Sequence, residues 1–222
     1  MGELTETIRV VLVDDDALVR MGLRAMLDGV QGIHVVAEAS DGGDVPAVVD
    51  AHHPDVVLMD LRMKKVDGIT ATQRLRDRGE GPAVIVLTTF DEHELVVRAL
   101  RAGAVGFLLK HAPPEDIVRA IRSARQGDSM LSPEIARRLI TMVANSTSHD
   151  TDRLAARERL QHLSAREIQV ATAVADGKSN AEIATDLTLT VPTVKGYIST
   201  ILGKTACTNR VQLALIVQAA GL

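Results

Sequence analysis

The stretch that decides the fold is Ile8-Arg9-Val10-Val11-Leu12-Val13-Asp14-Asp15, a short β-branched run that stops on two acids. Three later runs repeat the design. Asp55-Val56-Val57-Leu58-Met59 stops on Asp60, Ala83-Val84-Ile85-Val86-Leu87 on Thr88, and Gly106-Phe107-Leu108-Leu109 on Lys110. Runs this short, each followed by a helical pattern, read as buried parallel strands of a βα sheet. Such sheets collect their chemistry at the carboxyl edges of the strands. Asp14, Asp15, Asp60, Thr88 and Lys110 would therefore meet at one edge. Three carboxylates there suit a hard cation, Mg²⁺, beside one reactive aspartate that can accept a phosphoryl group.

Outward from these runs, residues 8–126 read as five βα units. Strands are expected near 8–13, 33–38, 55–59, 83–87 and 106–109. Helices are expected near 16–28, 43–52, 67–78, 91–102 and 114–126. Asp91-x-x-Glu94 and Pro114-Glu115-Asp116 place acids in first helical turns, where the helix dipole favours them. Residues 127–160 read as a linker. Ser132-Pro133-Glu134 opens a short helix to about Val143, and a polar, flexible stretch covers 145–152. From 161 to 222 the strand pattern vanishes and only helices remain. Ser164-x-x-Glu167 and Ser179-x-x-Glu182 are capping boxes. Thr188-Leu189-Thr190 forms a tight turn, Thr190 caps a third helix with Pro192 in its first turn, and Thr208 or Asn209 begins a fourth. Two short helices joined by a three-residue turn give helix-turn-helix geometry.

Composition narrows the function. Residues 1–126 carry 15 Lys and Arg against 20 Asp and Glu, a net of −5, which suits a cation site. Residues 161–222 carry 5 against 4, a net of +1. The single cysteine, Cys207, excludes an internal disulfide and fits a reducing cytoplasm. No run is long enough to span a membrane, and no signal segment opens the chain. His52-His53 reads as a solvated helix end. With Trp absent and only Phe90, Phe107 and Tyr197 aromatic, base stacking on an aromatic platform is not the expected binding mode.

Any one of these acids is equally readable as a cap or turn residue. Their order is more specific: acid pair, acid, hydroxyl, lysine, each at a strand end. With Asp60-Leu61-Arg62-Met63, Asp67-Gly68, Val86-Leu87-Thr88-Thr89 and Phe107-Leu108-Leu109-Lys110, residues 8–126 resemble the receiver domain of two-component response regulators. The resemblance implies an α/β, doubly wound, flavodoxin-like (βα)5 fold. It implies that a histidine kinase phosphorylates Asp60, and that Asp15, Asp60 and the Arg62 carbonyl bind Mg²⁺, with Asp14 acting through water. Thr88 and Lys110 would hold the phosphoryl group, and Phe107 matches the aromatic that rotates on activation. Two residues depart from the pattern: Lys64 stands where proline is usual, and His111 where an acid or proline is usual.

Residues 161–222 resemble the all-α, four-helix DNA-binding domain of the LuxR/NarL type. Leu163-Ser164-Ala165-Arg166-Glu167, Asp176-Gly177-Lys178-Ser179-Asn180-Ala181-Glu182-Ile183-Ala184 and Thr193-Val194-Lys195 carry the match, with Ile201-Leu202-x-Lys204 and Asn209-Arg210 beyond them. Ile183, Leu187, Val194, Ile198, Ile201 and Leu202 make the apolar face. Thr193, Lys195, Gly196 and Ser199 are then expected towards double-stranded DNA, with Lys178, Lys204 and Arg210 as further cationic contacts. Gly196-Tyr197 departs from the larger residue and histidine usual there, and Thr205 from leucine.

The combined expectation is a cytoplasmic transcriptional response regulator. Phosphorylation would promote a homodimer on DNA, and the chain would accept and slowly lose a phosphoryl group rather than act as an enzyme. A magnesium-dependent phosphatase is the first alternative. It is opposed by the lack of an acid two residues after Asp60. A receiver that regulates by protein contact alone is the second.

Overall fold

A computed structural model describes residues 7–79, 81–89, 93–128, 130–131 and 150–222. The chain divides into two compact units, 1–132 and 133–222.

The first unit is a parallel sheet covered on both faces. Its strands are β1 (Ile8–Val13), β2 (Ile33–Ala39), β3 (Val56–Asp60), β4 (Ala83–Thr88), β5 (Gly106–Leu109) and β6 (Met130–Leu131), in the order β2-β1-β3-β4-β5-β6. The helices are α1 (Ala17–Asp28), α2 (Val45–His52), α3 (Gly68–Asp77), α4 (His93–Arg101) and α5 (Pro114–Arg125). The period of two along each strand explains the layering. Ile8, Val10 and Leu12 point to one face and share a core with Leu27 of α1 and Ile117 and Ile121 of α5. Val11 and Val13 point to the other and meet Val45 of α2 and Ala71 and Leu75 of α3. Both faces are buried, so the strands read as continuous apolar runs.

Register then lines up the strand ends. Val13 pairs with Met59, Asp60 with Leu87, and Thr88 with Leu109. The order in which strands are added reverses between β1 and β3, the switch point at which doubly wound sheets open a crevice. The expected strands and helices are present. β6, which extends the sheet beyond β5, was not expected, since two residues give no readable pattern.

The second unit is all helical: α6 (Asp150–Leu160), α7 (Ala165–Ala175), α8 (Asn180–Asp186), α9 (Val191–Thr205) and α10 (Arg210–Ala220). Both capping boxes form, at Ser164 with Glu167 and at Ser179 with Glu182. Thr190 caps α9, and Asn209, one of the two expected starts, caps the fourth helix, α10. One boundary needs correction. The sequence reading leaves 150–160 in the linker, yet Ala156 and Leu160 of α6 belong to the same buried core as Val170, Ile183, Val194, Ile201 and Leu213. Arginines of α6 also cap neighbouring helices. Arg159 donates to the Thr205 carbonyl at the end of α9 (2.9 Å from Nε), and Arg157 to the Ala220 carbonyl at the end of α10 (3.0 Å). The expected helix from Ser132 to Val143, the flexible stretch 145–149, Phe90 and the helix start at Asp91 lie outside the described residues.

Candidate functional site

The carboxyl edge of the sheet holds an acidic pocket. β1 delivers Asp14 and Asp15, β3 ends on Asp60, β4 ends on Thr88, and β5 is followed by Lys110. Asp14, Asp60 and Thr88 are buried, with exposures of 2%, 5% and 2%. One carboxylate oxygen from each of Asp14, Asp15 and Asp60 lies within 4.8 Å of the others. The Lys110 ammonium sits 2.5 Å from Asp14 Oδ2 and 3.1 Å from Asp60 Oδ2. The outer oxygen of Asp15 faces Lys64 Nζ at 3.7 Å.

Charge is unbalanced here, and the titration of the groups follows. Burial pushes the Asp60 carboxyl up. The Lys110 charge pulls it back and the Asp14 charge pushes it up again. For Lys110 burial works against the ammonium, but the bond to Asp14 and the charges of Asp60 and Asp14 prevail and raise it. Three oxygen donors with a surplus of negative charge match the ligand preference of Mg²⁺, so the residues present fit that ion.

The loop after β3 is held tightly around this pocket. A side-chain carbon on Gly68 would fall 2.0 Å from the Asp60 carbonyl oxygen, so only glycine allows α3 to start there. Asp67 caps that helix, accepting from Thr70 N–H at 2.7 Å. Asp41, buried just beyond β2, accepts the backbone N–H groups of Gly43 (2.9 Å), Lys65 (3.0 Å) and Val66 (3.3 Å). These bonds, the Gly43 N–H foremost, hold its carboxyl below the usual range. Asp41 thus positions the segment carrying Arg62 and Lys64. Sequence reasoning missed it; an acid followed by two glycines at a strand's carboxyl edge was the available signal.

In the helical unit, α8 and α9 form the helix pair. Val194, Ile198 and Ile201 are buried, and Thr193, Lys195, Gly196 and Ser199 are exposed along one side of α9. A side chain on Gly196 would meet nothing within 4 Å, so packing does not require glycine there. Thr193 is tied to the cap through a 2.8 Å bond between its hydroxyl and that of Thr190.

A family model described as response regulator receiver domain matches residues 10–122, and one described as bacterial regulatory proteins, luxR family, matches 161–217. The transcriptional regulatory protein LiaR of Bacillus subtilis is 36% identical over 94% of this chain and 95% of its own. The response regulator GacA of Pseudomonas aeruginosa is 35% identical over 94% of each. This chain belongs to the response regulator family. It is a DNA-binding response regulator of a two-component system, with a receiver and a LuxR-type helix-turn-helix domain. Among solved structures, the response regulator ChrA of a heme-sensing two-component system aligns with a TM-score of 0.54. It is 37% identical, with 97% of this chain and 96% of that one covered.

The regulator's predicted pocket residues come together as a cluster, and its predicted DNA contacts separate into two groups. Thr193, Lys195, Gly196 and Ser199 share the exposed side of α9. The other cations are committed elsewhere. Lys178 pairs with Asp186 at 2.8 Å. Lys204 pairs with Glu167 at 2.7 Å, and that bond, with the Ser164 N–H, drops the Glu167 carboxyl to about 2. Arg210 is only 9% exposed and donates to the Lys178 carbonyl at 2.5 Å and to Asn180 Oδ1 at 3.3 Å. Its reading as a surface phosphate contact is corrected: it braces the turn before α8. Phe107 is fully buried, paired in register with Val86 and Leu131.

Proposed function

We propose that a histidine kinase transfers a phosphoryl group to Asp60, and that this modification drives dimerisation and DNA binding. The observation that carries the reading is the Asp60 carboxylate itself. It is buried at the switch point, with Lys110 at 3.1 Å and two further acids around it. A carboxylate oxygen of Asp60 attacks the phosphorus of the kinase phosphohistidine; a P–O bond forms, the P–N bond breaks, and imidazole leaves. Lys110, already poised on Asp60, neutralises one phosphoryl oxygen. The Thr88 hydroxyl, at the end of the adjacent strand, donates to another, and Phe107 of the neighbouring strand β5 is the aromatic that changes rotamer in response. Asp15, Asp60 and the Arg62 carbonyl would hold Mg²⁺, with Asp14 acting through water; when bound, the ion supplies the remaining charge neutralisation. Slow attack of water reverses the modification, so the chain turns over only its own phosphate.

On the DNA side, α9 presents Thr193, Lys195, Gly196 and Ser199 to the major groove. Lys178, ahead of α8, and Lys204, in the last turn of α9, are each already bound to an acid, so among the described residues a monomer offers few free charges to phosphate. Two copies are then needed for useful affinity. The linker joins the units and the protein works in the cytoplasm; no helix among the described residues is long and apolar enough to cross a membrane. The test is labelling by acetyl phosphate with Mg²⁺, followed by sedimentation and gel-shift. Wild type should be labelled, dimerise and shift DNA, and Asp60→Asn should do none of these. Stoichiometric labelling of the variant would show that the acceptor lies elsewhere.

A further inference from the structure

Every carboxylate of the acidic pocket faces an ammonium, but the two lysines differ in kind. Lys110 serves Asp14 and Asp60, and its side chain is 14% exposed. Lys64 serves Asp15 from the mouth of the pocket at 3.7 Å, and its side chain is 82% exposed. Lys110 is enclosed with its partners; Lys64 can swing into solvent at little cost.

What is fixed about Lys64 is its backbone. Asp41 accepts the N–H groups of the next two residues, Lys65 and Val66. Gly42 donates to the Val66 carbonyl at 3.1 Å, and Gly68 to the Leu61 carbonyl at 3.0 Å. These bonds close the loop on both sides of Lys64. A mobile four-carbon arm therefore hangs from a fixed point above the most accessible acid of the cluster.

We infer that Lys64 is a tethered counter-cation for Asp15 that competes with the divalent ion and sets the pocket's Mg²⁺ affinity. The inference rests on the reading of Asp15 as a Mg²⁺ ligand given above. An ion bound to Asp15 must displace the Lys64 ammonium and then endure its charge nearby. Removing that charge should tighten Mg²⁺ by about two- to fivefold, the span that an exposed ion pair covers. Salt should shrink the difference, because the arm lies in solvent.

The experiment is a Mg²⁺ titration of the full chain by calorimetry and by ¹H–¹⁵N NMR, at low and high ionic strength. The proteins are wild type, Lys64→Met, Lys64→Arg, Lys65→Met and Asp15→Asn. Expected are a Kd lowered about two- to fivefold in Lys64→Met, a wild-type Kd in Lys64→Arg, and a smaller change in Lys65→Met, whose partner is not Asp15. An unchanged Kd in Lys64→Met overturns the inference. So does an equal effect of Lys65→Met, which would reduce it to the general charge of the loop. Mg²⁺ binding that survives Asp15→Asn at wild-type strength overturns the ligand assignment beneath it. Lys64 is exposed, so these variants keep the fold, and the amide spectrum checks it.

Discussion

Leu160→Ala tests where the helical unit begins. If residue 160 closed a flexible linker, truncating it would change stability by less than about 0.5 kcal/mol, as for an ordinary surface site. In the structure Leu160 is 4% exposed and lies in the core with Val170, Ile201 and Leu213. Burial of a leucine side chain plus the cavity its loss leaves costs about 2–4 kcal/mol. A unit of this size has a urea dependence of roughly 1–1.5 kcal/mol per molar. The unfolding midpoint should therefore fall by about 2 M. The chain supplies its own probe. There is no Trp, and the single tyrosine, Tyr197, sits in α9 against this core, so its fluorescence follows the helical unit in the intact protein. Arg159→Ala should cost less, about 1 kcal/mol, because its bonds to the end of α9 lie near solvent. A Leu160→Ala midpoint within about 0.5 M of wild type would refute the inclusion of α6 in this core.

Further outcomes follow from the charges. Asp60 binds its proton more tightly folded than unfolded, so it withdraws stability as pH rises from 3.8 through its raised folded value. Without divalent cations, Asp60→Asn should melt higher than wild type at pH 7.5, with the gap closing towards pH 4; a gap independent of pH would contradict the buried, crowded carboxylate. Glu167 has the opposite sign. Its carboxyl lies at about 2 instead of 4.5, so its contribution is present above 4.5 and lost as pH falls towards 2. Glu167→Gln should remove that acid transition from the Tyr197 signal, and its persistence would assign it to another group. On DNA, Lys195→Ala should weaken binding about fivefold or more with the fold intact, since a bidentate base contact is worth roughly 1–3 kcal/mol. Arg210→Ala should instead lower the unfolding midpoint, because it strips the Lys178 carbonyl and Asn180 of a buried partner. Loss of affinity at unchanged stability would return Arg210 to the DNA surface.

The sheet was legible because β1, β3 and β4 are near-continuous apolar runs rich in β-branched residues, and because these three and β5 each end on or just before a polar residue. That same punctuation exposed the pocket. α6 was not legible. Asp150–Leu160 has arginines and acids around a narrow stripe of Ala156 and Leu160, and polarity outweighed periodicity. β6 is too short to carry a pattern. The Asp-Gly-Gly signal marks Asp41 but not what it clamps, because two of its partners, Lys65 and Val66, lie far along the chain. Charge counting says nothing of how Lys204 and Arg210 are paired. Sequence shows a cation but not the glutamate or carbonyl that folding places against it.

That internal pairing bears on how the regulator should respond to ionic strength. Binding to duplex DNA gains entropy from counterions released by each phosphate contact, and log K falls by about 0.9 per contact for each decade of salt. Four open cations per domain would make recognition steeply salt-dependent, with a slope of about −3.6. Folding has sealed Arg210 inside and tied Lys178 and Lys204 to Asp186 and Glu167. Among the described residues Lys195 is the one of these four not paired with an acid or a carbonyl, so the slope per domain should be shallower than about −3.6. Osmotic swings that would loosen a more basic protein from the chromosome should disturb this one's DNA occupancy less.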